Sequence, residues 1–239
     1  MYAPDEPDAL SSEYGQGNKS GQIYGRLKSL IVFQKLPPRT PLEQNRIAQR
    51  FGVSTTPVRE ALILLANDGI IVKNGTRSYL TRALSIRDVQ NDYQAALAIA
   101  KFCIESAVER FTPTGLRLLD KKAIGTRTME AHAQETAFTL ETLYERIAGL
   151  TENQLLVRRM LEFTDRTRFI RQLDLQNKDR FMEITSGMET LVQFLARGDV
   201  RDAVTNLERQ YQRKCDLIPS LVKKGNLIAL DAVDVFTVE

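Results

Sequence analysis

The sequence predicts a mostly helical protein: an N-terminal winged helix-turn-helix of three helices and a β-hairpin wing, joined to an antiparallel bundle of six or so helices. Three observations carry that prediction. Apolar residues recur at helical spacing, interrupted by proline and glycine, through most of residues 22–224. Two β-rich runs flank Asn74-Gly75, the strongest short-range hairpin signal. Positive charge is concentrated ahead of residue 85. With 239 residues, 43% of them apolar, the chain can build one large core or two small ones.

Residues 1–19 hold Asp5, Glu6, Asp8 and Glu13 among Ser, Gly and Pro, and predict a disordered acidic arm rather than a signal peptide. The winged domain is expected over residues 20–83. Ile23, Leu27, Leu30, Ile31 and Phe33 give the first helix its apolar spacing, and Leu36-Pro37-Pro38 stops it, because proline lacks an N–H and clashes with the preceding turn. A second helix from about Leu42 points Ile47, Ala48 and Phe51 inward, and Gly52 supplies the tight turn that follows. Ser54 or Thr55 caps the third helix, with Pro57 in its first turn and Val58, Ala61, Leu62, Leu64 and Leu65 on its apolar face. Asp68-Gly69 ends it, and residues 70–81 form the hairpin.

Charge separates the chain into three parts: −3 over residues 1–20, +7 over residues 21–84 and −1 over residues 85–239. A compact basic segment beside a neutral one implies a double-stranded DNA reader fused to a second function. In this geometry the N-terminal end of the third helix enters the major groove and presents Ser54, Thr55, Thr56 and Arg59. Arg59 can fork onto guanine O6 and N7, which is worth about 1–3 kcal/mol of discrimination, or serve as a salt bridge within the domain. Thr55 and Thr56 suit phosphates or thymine methyls, and Lys73 and Arg77 on the wing suit the backbone or minor groove unless they are merely solvated.

The run from Phe51 through Gly-Val-Ser-Thr-Thr-Pro-Val-Arg-Glu-Ala-Leu, followed by Leu65-Ala-Asn-Asp-Gly-Ile-Ile, resembles the reading head of GntR-family bacterial transcription regulators over residues 21–82. The resemblance implies operator binding by a homodimer. Family arginines are replaced by Thr55 and Asn45, and the wing glycine by Ser78, so Arg59 remains and Arg46 is the residue placed to compensate.

Residues 84–226 predict helices at about 86–111, 114–134, 136–149, 152–172, 177–196 and 200–223, with breaks at Thr112-Pro113, Gly149, Gly198-Asp199 and Gly225-Asn226 and a tail over 227–239. This order resembles the ligand-sensing domain of the FadR subgroup, with its cues at Leu150-Thr-Glu-Asn-Gln-Leu-Leu and Leu195-Ala-Arg-Gly-Asp. The resemblance implies a metal site at four positions, which here hold Leu140, Tyr144, Met188 and Gln210 at intervals of 4, 44 and 22. Every expected Asp or His ligand is replaced, so no metal and no other cofactor is expected.

An arginine that the subgroup uses to hold carboxylate effectors falls at Ala96. The expectation is therefore a larger, more apolar cavity with Tyr144 and Gln210 as neutral handles, taking an organic acid or a more apolar metabolite. Arg166, Arg168 and Arg171 are placed to supply charge or to form a solvated face, and Arg168 is included among the effector-binding candidates. His132, the single histidine, reads as an ordinary surface or helix-end residue, and Phe138, Phe163, Phe181 and Phe194 read as core. Cys103 and Cys215 lack the spacing of a thiolate zinc site and suit a reducing cytoplasm. No run of about 20 apolar residues is present, so no membrane partner is expected. One histidine, with no phosphate loop, GxSxG or HExxH motif, leaves no catalytic constellation. The composite expectation is a regulator, a repressor modulated by a small metabolite; the alternative is a constitutive DNA binder whose helical domain only dimerises.

Overall fold

The structure, a computed structural model, describes residues 19–33, 35–75, 78–116, 128–231 and 236. The expected acidic arm, apart from Lys19, and the wing residue Arg77 lie outside the described residues. The chain forms two compact units, Met1–Ala83 together with Asn226–Glu239, and Leu84–Gly225.

In the first unit, α1 (Lys19–Val32), α2 (Gln44–Phe51) and α3 (Thr55–Asn67) precede a hairpin of β1 (Ile71–Asn74) and β2 (Ser78–Thr81). Both α1 and α2 pack on α3, and Leu27, Ile47, Val58, Leu62 and Leu65 are completely buried between them. Each such side chain contributes about 1.5–3 kcal/mol of burial. Gly52 closes α2 in the left-handed region at φ 65°, where its N–H reaches back to the helix carbonyls. The strands pair antiparallel with Ile71 opposite Thr81 and Asn74 opposite Ser78.

The segment after α1 docks on the other edge of β2. Leu42 N–H donates to the Tyr79 carbonyl at 2.9 Å, and Thr81 N–H donates to the Thr40 carbonyl at 3.1 Å. The Thr81 and Thr40 hydroxyls both donate to the Pro37 carbonyl, at 2.6 and 2.7 Å. The prolines that stop α1 thus also set the base of the wing.

The second unit contains α4 (Ile86–Ala107), a 3-10 turn (Val108–Arg110), α5 (Met129–Gly149), α6 (Gln154–Leu175), α7 (Lys178–Arg197) and α8 (Val200–Leu230), of which α8 belongs to this unit as far as Gly225. Ser85, Thr128, Asn153 and Asn177 cap four of these helices with side-chain oxygens, and Gly198 ends α7 at φ 75°. Short connections fold α5, α6 and α7 back on one another, with α5 against α6 the largest contact, and α8 reaches α6 where Lys214 meets Asp174.

Three expectations are corrected here. Residues 129–149 form one helix with no break at 135, because nothing between Met129 and Gly149 interrupts the backbone ladder. Thr114 and Gly115 form a turn rather than a helix start, and residues 117–127 lie outside the described set. Helix α8 also continues through Gly225-Asn226 to Leu230. Gly225 is there for its lack of a side chain: a Cβ would stand 2.6 Å from Leu84 Cδ1 and 3.1 Å from Phe169 Cε1.

A buried ionic junction joins α6, α7 and α8. Asp174, 2% exposed, accepts a two-pronged interaction from Arg180, Nε to Oδ1 at 2.9 Å and Nη2 to Oδ2 at 3.0 Å, and a further bond from Lys214 Nζ. Burial alone would raise the Asp174 pKa. The hydrogen bonds and charges of Arg180 and Lys214 outweigh it and hold the carboxyl below its ordinary range.

Two outcomes follow for stability. Asp174→Asn leaves two buried cations facing each other, so urea unfolding at neutral pH is expected to show a loss of about 3–5 kcal/mol. Because the folded pKa lies below the unfolded one, this stabilisation is complete above about pH 4 and is lost as pH falls through the folded value, so the variant shows a weaker acid dependence than wild type. Gly225→Val is expected to cost about 1–3 kcal/mol by overpacking, while Gly149→Ala, with nothing within 4 Å of its Cβ, gains about 0.5–1 kcal/mol. Equal midpoints for the two glycine variants would remove the close-packing account of Gly225.

Candidate functional sites: a nucleic-acid reading head and a cationic cleft

In the first unit, α3 begins at an exposed end. Ser54 sits at its N-cap in extended backbone without a side-chain capping bond, and Thr55, Thr56 and Arg59 are exposed beside it. Arg59 makes no ion pair or hydrogen bond among the described residues, so its guanidinium is available to a ligand. Asn45 and Arg46 are exposed at the start of α2, and Arg46 Nε lies 3.3 Å from Glu43 Oε2 in a pair half open to solvent. Such a pair contributes about 0–1 kcal/mol and yields readily to a phosphate. Lys73 is exposed on β1.

This end of the unit therefore collects hydroxyls and cations next to the free N–H groups of a helix start, which is an arrangement that attracts phosphate and reads base edges. Behind it, the Tyr24 hydroxyl donates to Asp68 Oδ2 and Arg82 Nη1 donates to the Gly69 carbonyl at 2.9 Å, fixing the far end of α3.

In the second unit a cleft, about 760 Å3 counted out to its open mouth, is enclosed by α4, α5, α6, α7 and α8. Ala96 and Ala100 on α4 leave the space, and Leu97, Leu140, Ile184 and Leu207 give it apolar walls. An aromatic wall of Tyr93, Phe163 and Tyr144 is held by edge-to-face contacts at 5.0 and 5.7 Å.

Among the effector candidates, Leu140, Tyr144 and Gln210 come together in the lining. Gly187 makes room for Gln210, since a Cβ there would lie 3.3 Å from the carboxamide, and Gln210 Nε2 donates to Asn206 Oδ1. Met188 is buried in the core, and Arg168 is consumed elsewhere; neither lines the cleft. Arg168 forks onto Glu141 at 3.0 and 2.7 Å because both side chains are buried, where an unpaired charge is costly.

The apolar cavity with neutral handles is also corrected. The polar side of the cleft is formed by Arg171, Arg180, Arg213 and Lys214, with Glu183 the one carboxylate in the lining. Arg171 is 2% exposed and is held by Glu141 Oε1 at 2.6 Å, Thr167 Oγ1 at 2.8 Å and the Thr164 carbonyl at 2.7 Å. Burial would lower its pKa, but Glu141 more than compensates and keeps it raised.

Burial pushes the Tyr93 hydroxyl up to about 12, against the pull of Arg171, so it remains a protonated phenol. Burial pulls Lys214 below its ordinary value, partly offset by Asp174. The Tyr93 hydroxyl faces Arg171 and Thr167, and Arg171 Nε has no hydrogen-bond partner among the described residues.

Sequence reasoning missed Tyr93, Arg180, Arg213 and Lys214. The available signal was the spacing of Lys214 one turn beyond Gln210 on the same helix face. His132 is another correction: it is 2% exposed rather than on the surface, with its ring 6.2 Å from Phe181 and both nitrogens unpartnered among the described residues. Phe163 and Phe181 are core and Phe194 packs on it, but Phe138 is half exposed.

The four positions at which the resemblance implies a metal do not fit one. Leu140 has no donor atom, Met188 is a thioether, and Tyr144 and Gln210 are neutral oxygen donors beside fixed cations. Among the described residues, no three His, Cys, Asp or Glu side chains gather at a possible metal position.

Comparison with known proteins covers both units. The family described as "Bacterial regulatory proteins, gntR family" matches residues 19–79, and the FCD domain matches residues 93–213. The chain is 20% identical over 207 residues to the uncharacterised HTH-type transcriptional regulator YdhC of Bacillus subtilis, covering 85% of this chain and 92% of that one. It is 37% identical over 89 residues, 37% of each chain, to the HTH-type transcriptional repressor RspR of Escherichia coli. The solved structure of Escherichia coli McbR/YncC shares the fold at TM-score 0.63 and 16% identity, over 84% of this chain and 97% of that one. With both units matched in chain order, the chain belongs to the GntR family of bacterial regulatory proteins, helix-turn-helix transcription regulators, and carries an FCD domain.

Proposed function

We propose that this regulator is a homodimeric repressor whose operator binding is relieved by a small metabolite held in the cleft of the helical unit, without a metal ion. The observation that carries this reading is the exposed Arg59, unpaired among the described residues, beside Thr55 and Thr56 at the start of α3, on a segment with net charge +7. Repression is supported by the likeness of the reading head to that of RspR, which is described as a repressor. Modulation is supported by the cleft, since a helical domain that served only to dimerise would have no need of a cavity with fixed charges along one side. Effector binding shifts DNA affinity only as far as the effector prefers one arrangement of the two reading heads over the other.

Dimerisation is supported by α4. Ala95, Ala98 and Phe102 are exposed along one face, with Phe102 55% exposed. A two-fold pairing of this face would set the same small and aromatic side chains of both copies against one another, as an isologous interface requires. The regulator acts on cytoplasmic DNA and performs no catalysis in this reading.

Selection of bound fragments from the source genome by the full-length protein, at two salt concentrations, tests the proposal. Enrichment of a few sites sharing a short two-fold-symmetric sequence is expected, and binding spread evenly and lost with salt would sink it. At a selected site, Arg59→Ala is expected to weaken binding by about 1–3 kcal/mol and to relax sequence preference at one base pair per half-site. Lys73→Ala instead lowers affinity evenly across sequences and reduces the salt slope by about one. An Arg59→Ala protein with unchanged sequence preference would remove that residue from base readout.

A further inference from the structure

The chain leaves the reading head at Ala83 and returns to it. Residues from Asn226 onward belong with the first unit, so the last turn of α8 is part of the reading head rather than of the helical unit. The returning segment is seated by Phe236. Its ring stands edge-on to that of Phe51, with 6.2 Å between centres and 72° between planes. Phe236 also packs on the apolar cluster that holds Leu27, Ile47 and Leu65. Arg26 of α1 lies over the same Phe51 ring, its guanidinium carbon 4.3 Å from the centre. Phe51 is the last residue of α2, directly before Gly52, which turns the chain toward α3.

Charge and burial favour the same placement. Residues 226–239 hold Asp231, Asp234 and Glu239 and no basic residue, whereas residues 21–84 carry a net charge of +7. In the last turn of α8, Ala229 is completely buried. From this we infer that the surface made by Phe51 and Arg26 is a docking site for the chain's own C-terminal segment, and that docking ties the stability of the reading head to that of the helical unit. The segment is seated only while α8 and the head are both folded, so each stabilises the other as a bound ligand would.

Two chain connections then join the units, Ala83–Leu84 and Gly225–Asn226, and the second is a helix. Helix α8 carries Leu207, Gln210, Tyr211 and Lys214 of the cleft and runs on to Leu230; Pro219 removes one rung of its ladder without ending it. The stretch from Lys214 to Leu230 spans about 24 Å. A shift of α8 at the cleft is therefore delivered to the segment that Phe236 anchors. That last step rests on the reading of the cleft as the effector site; the docking itself does not.

The test uses the full-length protein without DNA or added ligand. Amide hydrogen exchange is followed in wild type, Phe236→Ala, Phe51→Leu and the double variant. Phe236 is only partly buried, so its replacement leaves both cores intact. Phe236→Ala is expected to speed exchange over residues 19–51 about tenfold and to leave residues 129–197 as in wild type. In the Phe51→Leu background the same substitution is expected to do several-fold less. Scanning calorimetry reads the coupling: wild type is expected to unfold in one transition, and Phe236→Ala to bring out an earlier one for the reading head. Unchanged exchange over residues 19–51, or a change confined to residues 200–225, overturns the docking. Two wild-type transitions that the substitution does not move overturn the coupling. A protein that shows both effects but selects no operator sequence refutes the regulator proposal while this inference stands.

Discussion

The helical unit is organised around the cost of burying charge. Asp174 sits at the end of α6 at 2% exposure, which is tolerable only because Arg180 at the start of α7 and Lys214 on α8 reach it. A carboxylate and its partners removed from water lose several kcal/mol of hydration each, and good geometry is what recovers it. The consequence is geometric: three helices are held where two cations converge on one carboxylate. Glu141 does the same between α5 and α6 through Arg168 and Arg171. The cleft follows from these two junctions. Their guanidinium and ammonium groups cannot be pushed into an apolar core, so the space between the cations and the apolar walls stays open.

Charge is handled in the opposite way in the reading head. Its cations are exposed, and its buried core is almost purely apolar, with Leu27, Ile47, Leu62 and Leu65 at zero exposure. Polar groups within it are few and locally satisfied, as where the Thr40 and Thr81 hydroxyls share the Pro37 carbonyl. A surface meant for phosphates keeps its positive charge solvated until a polyanion displaces the counterions. A cavity meant for a small ligand instead fixes its charge in advance on buried partners, so little reorganisation is needed on binding.

Metal chemistry illustrates why identity at a position and environment at a position are different facts. Leu140, Tyr144, Met188 and Gln210 are plainly not a ligand set in the sequence. The cations that line the cleft beside them were not visible there, because Arg171, Arg180 and Lys214 do not occupy those positions. They enter from one turn further along α8, from the last turns of α6 and from the first turn of α7. Long basic side chains are common on helix surfaces, so only packing distinguishes Lys214, which is buried, from Arg213 beside it, which is half exposed.

The parts of the protein legible in the sequence are those set by local chemistry. Gly52 and Gly198 end helices because their backbones are left-handed, Gly75 leaves β1 in the same left-handed region at φ 78°, and Asn153 caps α6 with its own side chain. Residues 54, 55, 56 and 59 were placed at an exposed helix start because an N-cap, a Pro and an apolar face within one short run permit little else. Tertiary structure decided everything that depends on partners distant in sequence. Gly225 reads as a helix stop but serves as a contact point for Leu84 and Phe169, and His132 reads as a surface residue but packs against Phe181. Arg168 and Arg171, three residues apart, look equivalent. Both share Glu141, 27 and 30 residues earlier in the chain, yet only Arg171 lines the cleft. Backbone conformation responds to its neighbours in sequence, whereas the fate of a charge is settled by what surrounds it in space.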